Sequence, residues 1–191
     1  MSKPFQQKAT VQPEKGRVLL AEPHLNEDFF KRAVILLIDH CREESFGLVL
    51  NNPADFLLSD LFEHIELELQ IFKGGPVSPN QLFYLHRFVG IEGALEVSPG
   101  LYFGGDWKTI LLQAHLVANP KYHLRLFAGY SGWGAGQLEA ELQEGSWICV
   151  CDPNIKALFQ TSPKELWKKS MLQQGPELAA FAHYPVNISD N

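Results

Sequence analysis

Six consecutive apolar residues, Ala33 to Ile38, constrain this chain more than any other stretch. The run has strand length and no polar alternation, so it cannot leave one face in water. It predicts a strand buried on both sides, with a further layer above and below the sheet. After the polar turn Cys41 to Ser45, Phe46 to Leu50 reads as its antiparallel partner in a central hairpin. Arg17 to Ala21 reads as a short buried strand closed by Pro23.

Other segments fill in the layers. Leu67 to Phe72 alternates apolar and polar residues, Gln81 to Arg87 places Leu82, Tyr84 and His86 on one face, and Trp147 to Val150 is a short apolar strand. Ala94 to Val97 and Leu101 to Phe103 form a hairpin around Ser98-Pro99-Gly100. Asn26 is expected to cap a short helical turn, Ser59 a helix with Leu61, Phe62 and Ile65, and Asp106 a helix through Ala118. Ser162-Pro163-Lys164-Glu165 has a cap residue, Pro at the first helical position and Glu three after the cap, so it starts a helix. Leu166, Trp167, Ser170 and Met171 then face inward, and Gly175 stops it.

The expected fold class is α+β with three-layer α/β/α character. It is a single compact domain over 16–184, with a mixed, mainly antiparallel sheet covered by helices. Residues 1–15 read as a flexible lead-in and 185–191 as a frayed tail. There is no regular βαβ alternation, which argues against a doubly wound nucleotide fold.

Composition narrows the function classes. A net charge of −6 over 191 residues opposes a large nucleic-acid footprint. Three cysteines imply no disulfide framework, no apolar run approaches the roughly 18 residues of a membrane span, and Met1 to Lys15 lacks a secretory apolar core. A cytoplasmic location follows by elimination.

Candidate chemistry concentrates between Leu124 and Val150. An apolar strand leads into Gly129 to Gly136, which holds four glycines in eight residues and reads as a loop, and then into an amphipathic helix. Glycine at that density suits close backbone approach or positive φ. Free N–H groups at a helix start could take an anion. However, a P-loop would need Lys and Ser or Thr where Gln137-Leu138 stands, and the spacing of Gly132, Gly134 and Gly136 is wrong for a dinucleotide fingerprint. Glu139, Glu141 and Glu144 would repel phosphate. Gly129-Tyr130-Ser131-Gly132 fails as a nucleophile elbow because Trp133 occupies the crowded position two after the serine. Cys149 and Cys151 share a strand face but have no complementary ligand set, so they read as small apolar residues. His40 and His86 lie near predicted strand ends.

These motifs resemble the YqgE/AlgH family. The resemblance rests on Gly16-Arg17-Val18-Leu19-Leu20-Ala21-Glu22-Pro23, Phe29, Arg32, the strand ending at His40, Gly47, Asn51 and Pro53. It extends through Phe72-Lys73-Gly74-Gly75-Pro76-Val77 and Leu85-His86, and above all Gly129-Tyr130-Ser131-Gly132-Trp133-Gly134-Ala135-Gly136-Gln137-Leu138-Glu139 with Glu141. It covers about Lys15 to Gly175 and implies one α/β domain around a mixed sheet. One branch of the family carries the label of transcriptional regulator, which does not establish DNA binding. Ser131 stands where the family usually has Ala, and Ala135 where it usually has Pro.

The expectation is a binding or regulatory protein with a surface made of Asn51, Gly74, Gly75, Pro76, His86, Gly129, Tyr130, Gly132, Trp133, Gly134, Gln137 and Glu141. Tyr130 and Trp133 serve as aromatic anchors. No catalytic residue, metal or cofactor is assigned. A protein partner leads. A small molecule or anion near Gly134 and Gln137, or an enzyme of unknown reaction, is the alternative. Nucleic acid and membrane are not expected partners.

Overall fold

A computed structural model describes residues 11–25, 27–151 and 155–184. The apolar run forms strand β2 (Val34–His40), flanked by antiparallel β1 (Val18–Ala21) and β3 (Glu44–Val49). Its side chains divide strictly by parity. Val34, Leu36 and Ile38 enter one core, while Ile35 and Leu37 enter another, and none is more than 1% exposed. Such a strand is the one that an unbroken apolar run demands.

Ten strands make the sheet. Beyond β3 the chain runs through β4 (Pro53–Leu57), β5 (Gln70–Lys73), β6 (Val77–His86), β7 (Ala94–Ser98), β8 (Leu101–Gly104), β9 (Leu124–Gly134) and β10 (Trp147–Val150). The order is β10-β1-β2-β3-β9-β6-β8-β7, with the β4–β5 pair joined through β5 to β9. Only the β5–β9 pairing is parallel, so the sheet is mixed and mainly antiparallel, as expected. Strand β9 is the spine. Its first half pairs with β5 and β6, and its second half pairs with β3.

The sheet curls. One inner core takes Val18 and Leu36 from one wing, and Leu85, Val97 and Leu101 from the other. It is closed by α4 (Ile155–Gln160), α5 (Pro163–Leu172) and α6 (Pro176–Phe181), through Leu158, Leu166, Trp167, Met171 and Leu178. The outer face of β1–β2–β3 is covered by α3 (Gln137–Gln143) through Leu138. The outer face of β5–β9 is covered by α1 (Leu58–Leu61) and α2 (Trp107–Leu116), through Leu58, Ile110 and Ala114. The result is a single α+β domain with helices on both faces of the sheet.

Local signals account for much of this. The Asp106 carboxylate accepts from the Thr109 N–H at 2.8 Å, an N-cap for α2. Helix α5 starts at Pro163 as expected, although the Ser162 side chain makes no cap bond. Gly175 (φ 97°) ends that stretch and opens α6. Several segments differ from expectation: Ser59 lies inside α1, whose N-cap is Leu57 and which ends at Leu61. The strand foreseen over 67–72 begins only at Gln70, 53–57 is a strand, and the Gly129 to Gly134 stretch is the end of β9 and not a loop. The proposed cap Asn26 lies outside the described residues, and residues 28–32 form turns without a helix. Most of the lead-in and all of the tail also lie outside them. Val11, which is described, packs against the outer core.

Candidate functional site

The glycines of β9 are explained first by a backbone crossing. After β5 the chain passes directly over β9. A Cβ on Gly75 would stand 1.9 Å from the Tyr130 carbonyl carbon, and one on Gly74 would stand 2.3 Å from the Gly129 oxygen. Gly129 answers from the other side: its φ is +71°, and a Cβ there would meet the Gly75 oxygen at 2.5 Å. Hydrogen bonds lock the crossing. Gly74 N–H donates to Ala128 O at 2.9 Å, while Gly74 O accepts from Val49 N–H at 2.8 Å and from the Ser131 hydroxyl at 3.2 Å. Gly74 and Gly75 are therefore buried, and only Pro76 of that turn is exposed. This corrects the reading of a surface turn. Ser131 is 1% exposed with its hydroxyl engaged, so it offers no nucleophile.

The second feature is a latch between α3 and the sheet. Trp133 Nε1 and Trp147 Nε1 both donate to Glu141 Oε2, at 2.8 and 2.7 Å, and Gln137 Nε2 donates to Oε1 at 2.9 Å. The two indoles meet edge to face at 6.3 Å, and each residue is only 5% exposed. Trp133 is thus a core residue, not an exposed anchor. The alternative of an anion at Gly134 and Gln137 meets two obstacles. The Gly134 N–H already donates to Gln137 Oε1 at 3.1 Å, and Glu139 stands in the first turn of α3.

Neither of the remaining polar candidates joins this group. Asn51 turns inward, with its Oδ1 accepting from Val34 N–H and its Nδ2 donating to Arg32 O, each at 2.9 Å. His86 is fully buried. Its Nε2 lies 3.0 Å from Gly104 O and its Nδ1 lies 3.3 Å from Phe88 N, a pattern that assigns the neutral Nε2–H form. Burial pushes its pKa below the ordinary imidazole value. His86 is therefore not part of a surface. His40 bridges Ser45 Oγ, 2.8 Å from Nδ1, and Glu139 Oε1, 3.6 Å from Nε2. The row imitates a nucleophile triad, yet Ser45 is only 5% exposed inside the β2–β3–β9 ladder.

What stays accessible near the glycine stretch is aromatic. Tyr130 from β9 lies 4.7 Å from Phe46 of β3 and 5.7 Å from Phe83 of β6, and Phe46 is 5.5 Å from Phe103 of β8. All four rings are half-buried. Gly132 lets the phenol ring lie flat, since a Cβ there would stand 3.1 Å from it. Val77, 37% exposed, borders the same patch, and Gly132, Gly134, Gly136 and Gln137 continue it as an exposed edge. The sequence reading missed Phe46, Phe83 and Phe103, because phenylalanines on strands read as core. Their convergence depends on the order β3-β9-β6-β8, which no local pattern reveals. Among the described residues no group of three His, Cys, Asp or Glu could hold a metal ion. No helix among them is long and apolar enough to cross a membrane.

The curled ten-stranded sheet, crossed at its spine by a diglycine turn, defines the class as a single-domain α+β protein. Known structures share it. A crystal structure of protein DIP2367 from Corynebacterium diphtheriae superposes with a TM-score of 0.77 at 23% identity, over 94% of this chain and 97% of that one. The solution structure of AlgH from Pseudomonas aeruginosa gives 0.69 at 26% identity, over 94% and 98%. The DUF179 family model, described as AlgH-like, matches residues 18–179. A UPF0301 protein of Bacteroides thetaiotaomicron is 36% identical over 185 residues, 94% of this chain and 92% of its own. UPF0301 protein CT0663 of Chlorobaculum tepidum is 36% identical over 172 residues, 89% and 91%. The chain belongs to the AlgH-like family.

Proposed function

We propose that this chain is a binding and regulatory protein that captures a protein partner on the patch around Tyr130 and the exposed edge from Gly132 to Gln137. The observation that carries the reading is the cluster of Phe46, Phe83, Phe103 and Tyr130, four half-buried rings drawn from four strands that also pack against the inner core. Grouped rings with a polar tip are the usual anchors of protein interfaces. No hydrogen bond to the Tyr130 hydroxyl is found among the described residues, so that tip is free for a partner. Two carboxylates border the edge: Glu44 is exposed opposite Gly134, and Glu139 is half-exposed. The complementary partner presents an apolar side chain beside Lys or Arg. Any effect on transcription is then indirect, through that capture, because a net charge of −6 opposes direct DNA contact.

The test is affinity capture from the source organism with wild type, Tyr130→Ala and the control Leu112→Ser, which alters a 62% exposed residue on α2. The expected result is one partner retained by wild type and control, with binding weakened about tenfold or more by Tyr130→Ala. Equal recovery with all three forms would place the binding surface elsewhere.

A further inference from the structure

Arg125 is the only charged side chain among the described residues that is buried, at 8% exposure. It leaves β9 toward the inner core, and its guanidinium carbon lies 4.6 Å from the Phe72 ring centroid and 5.3 Å from that of Phe159. Its Nη1 donates to Leu50 O at 3.2 Å. No carboxylate among the described residues pairs with it. Burial lowers its pKa to about 10, so it stays protonated at neutral pH.

A guanidinium carries five N–H donors, and the Leu50 carbonyl takes one. Among the described residues no buried side-chain nitrogen lacks a partner. The Arg125 nitrogens that make no bond therefore keep some accessible surface. Both phenyl rings pack against the guanidinium. A guanidinium fork takes two oxygens of one carboxylate or phosphate. Such an anion would supply the missing counter-charge where attraction is least screened.

We propose that Arg125, packed against Phe72 and Phe159, is the base of a binding site for a small oxyanion, a carboxylate or phosphate group. The site is separate from the Tyr130 patch and stands or falls without it. The test is thermal unfolding of wild type and Arg125→Met in chloride at fixed ionic strength, with inorganic phosphate in one arm and succinate in the other. Wild type is expected to gain about 5 °C or more in Tm with one of these anions at a hundredfold excess over its Kd. The arm that responds identifies the source of the charge. Arg125→Met is expected to fold and to lose the response, because replacing an unpaired buried charge with an apolar side chain is tolerated. In parallel, the Arg125 Nε–H NMR signal of wild type should move saturably during the titration. No gain with either anion, or an equal gain in Arg125→Met, overturns the proposal. If that variant does not fold, a static Arg125 signal overturns it.

Discussion

Replacing Glu141 tests how the glycine-rich end of β9 is held. The carboxylate accepts from two nearly buried indoles and from Gln137. In Glu141→Ala both indole N–H groups lose their acceptor, and an unmet buried donor costs about 1–3 kcal/mol. Glu141 is half-exposed, so water can enter the space it vacates, and the lower part of that range applies. Two indoles then give a loss of about 2–4 kcal/mol, a substantial share of the roughly 5–15 kcal/mol that stabilises a typical domain. The corresponding Tm drop is about 5–12 °C for a chain of this length. Glu141→Gln keeps an oxygen for both indoles but loses their charge-assisted strength. Its amide also faces Gln137 Nε2, donor against donor, so an intermediate loss of about 1–2 kcal/mol is expected. Glu139→Ala removes only the 3.6 Å approach to His40 from a carboxylate that is 43% exposed, and should stay within about 0.5 kcal/mol of wild type. Urea unfolding followed by tryptophan fluorescence measures all three. Wild-type stability in Glu141→Ala, or an equal loss in Glu141→Gln and Glu141→Ala, would refute the latch.

The other predictions concern the crossing, one histidine and the thiols. Gly75→Ala, whose Cβ would sit 1.9 Å from Tyr130 backbone, should lose more than about 3 kcal/mol or fail to fold, whereas Gly134→Ala meets nothing within 4 Å and should be tolerated in the same melts. Because the folded pKa of His86 is depressed, the unfolded chain binds that proton first. Stability should therefore fall as pH drops below about 6.5, and His86→Gln should flatten this slope in pH-dependent urea titrations. Burial raises the Cys149 thiol to about 11, while Cys41 and Cys151 are exposed. Iodoacetamide at pH 8 should label Cys41 and Cys151 first, and Cys149 only after unfolding, by mass spectrometry.

Residues whose burial is decided by their own neighbours were legible in the sequence. Ala33 to Ile38 announced a strand between two cores, Asp106 announced its helix, and Leu166, Trp167 and Met171 were placed inward correctly. Gly129 to Gly134 misled because glycine density signals a loop locally, while here it serves a crossing with Gly74 and Gly75, more than fifty residues away in sequence. Trp133 misled for a related reason. Beside glycines it read as exposed, but its indole is turned under α3 to an acceptor eight residues on. The family signature is thus in large part architectural. The aromatic cluster around Tyr130 emerges only when β3, β6, β8 and β9 are assembled.

Site-specific photo-crosslinking tests directly whether Tyr130 meets a partner. A benzoylphenylalanine placed at Tyr130, and separately at Leu112 on α2, is irradiated in cells of the source organism. One discrete adduct is expected from position 130, competed away by excess wild-type protein, and none from position 112. No adduct at 130, or the same adducts from both positions, would contradict this expectation.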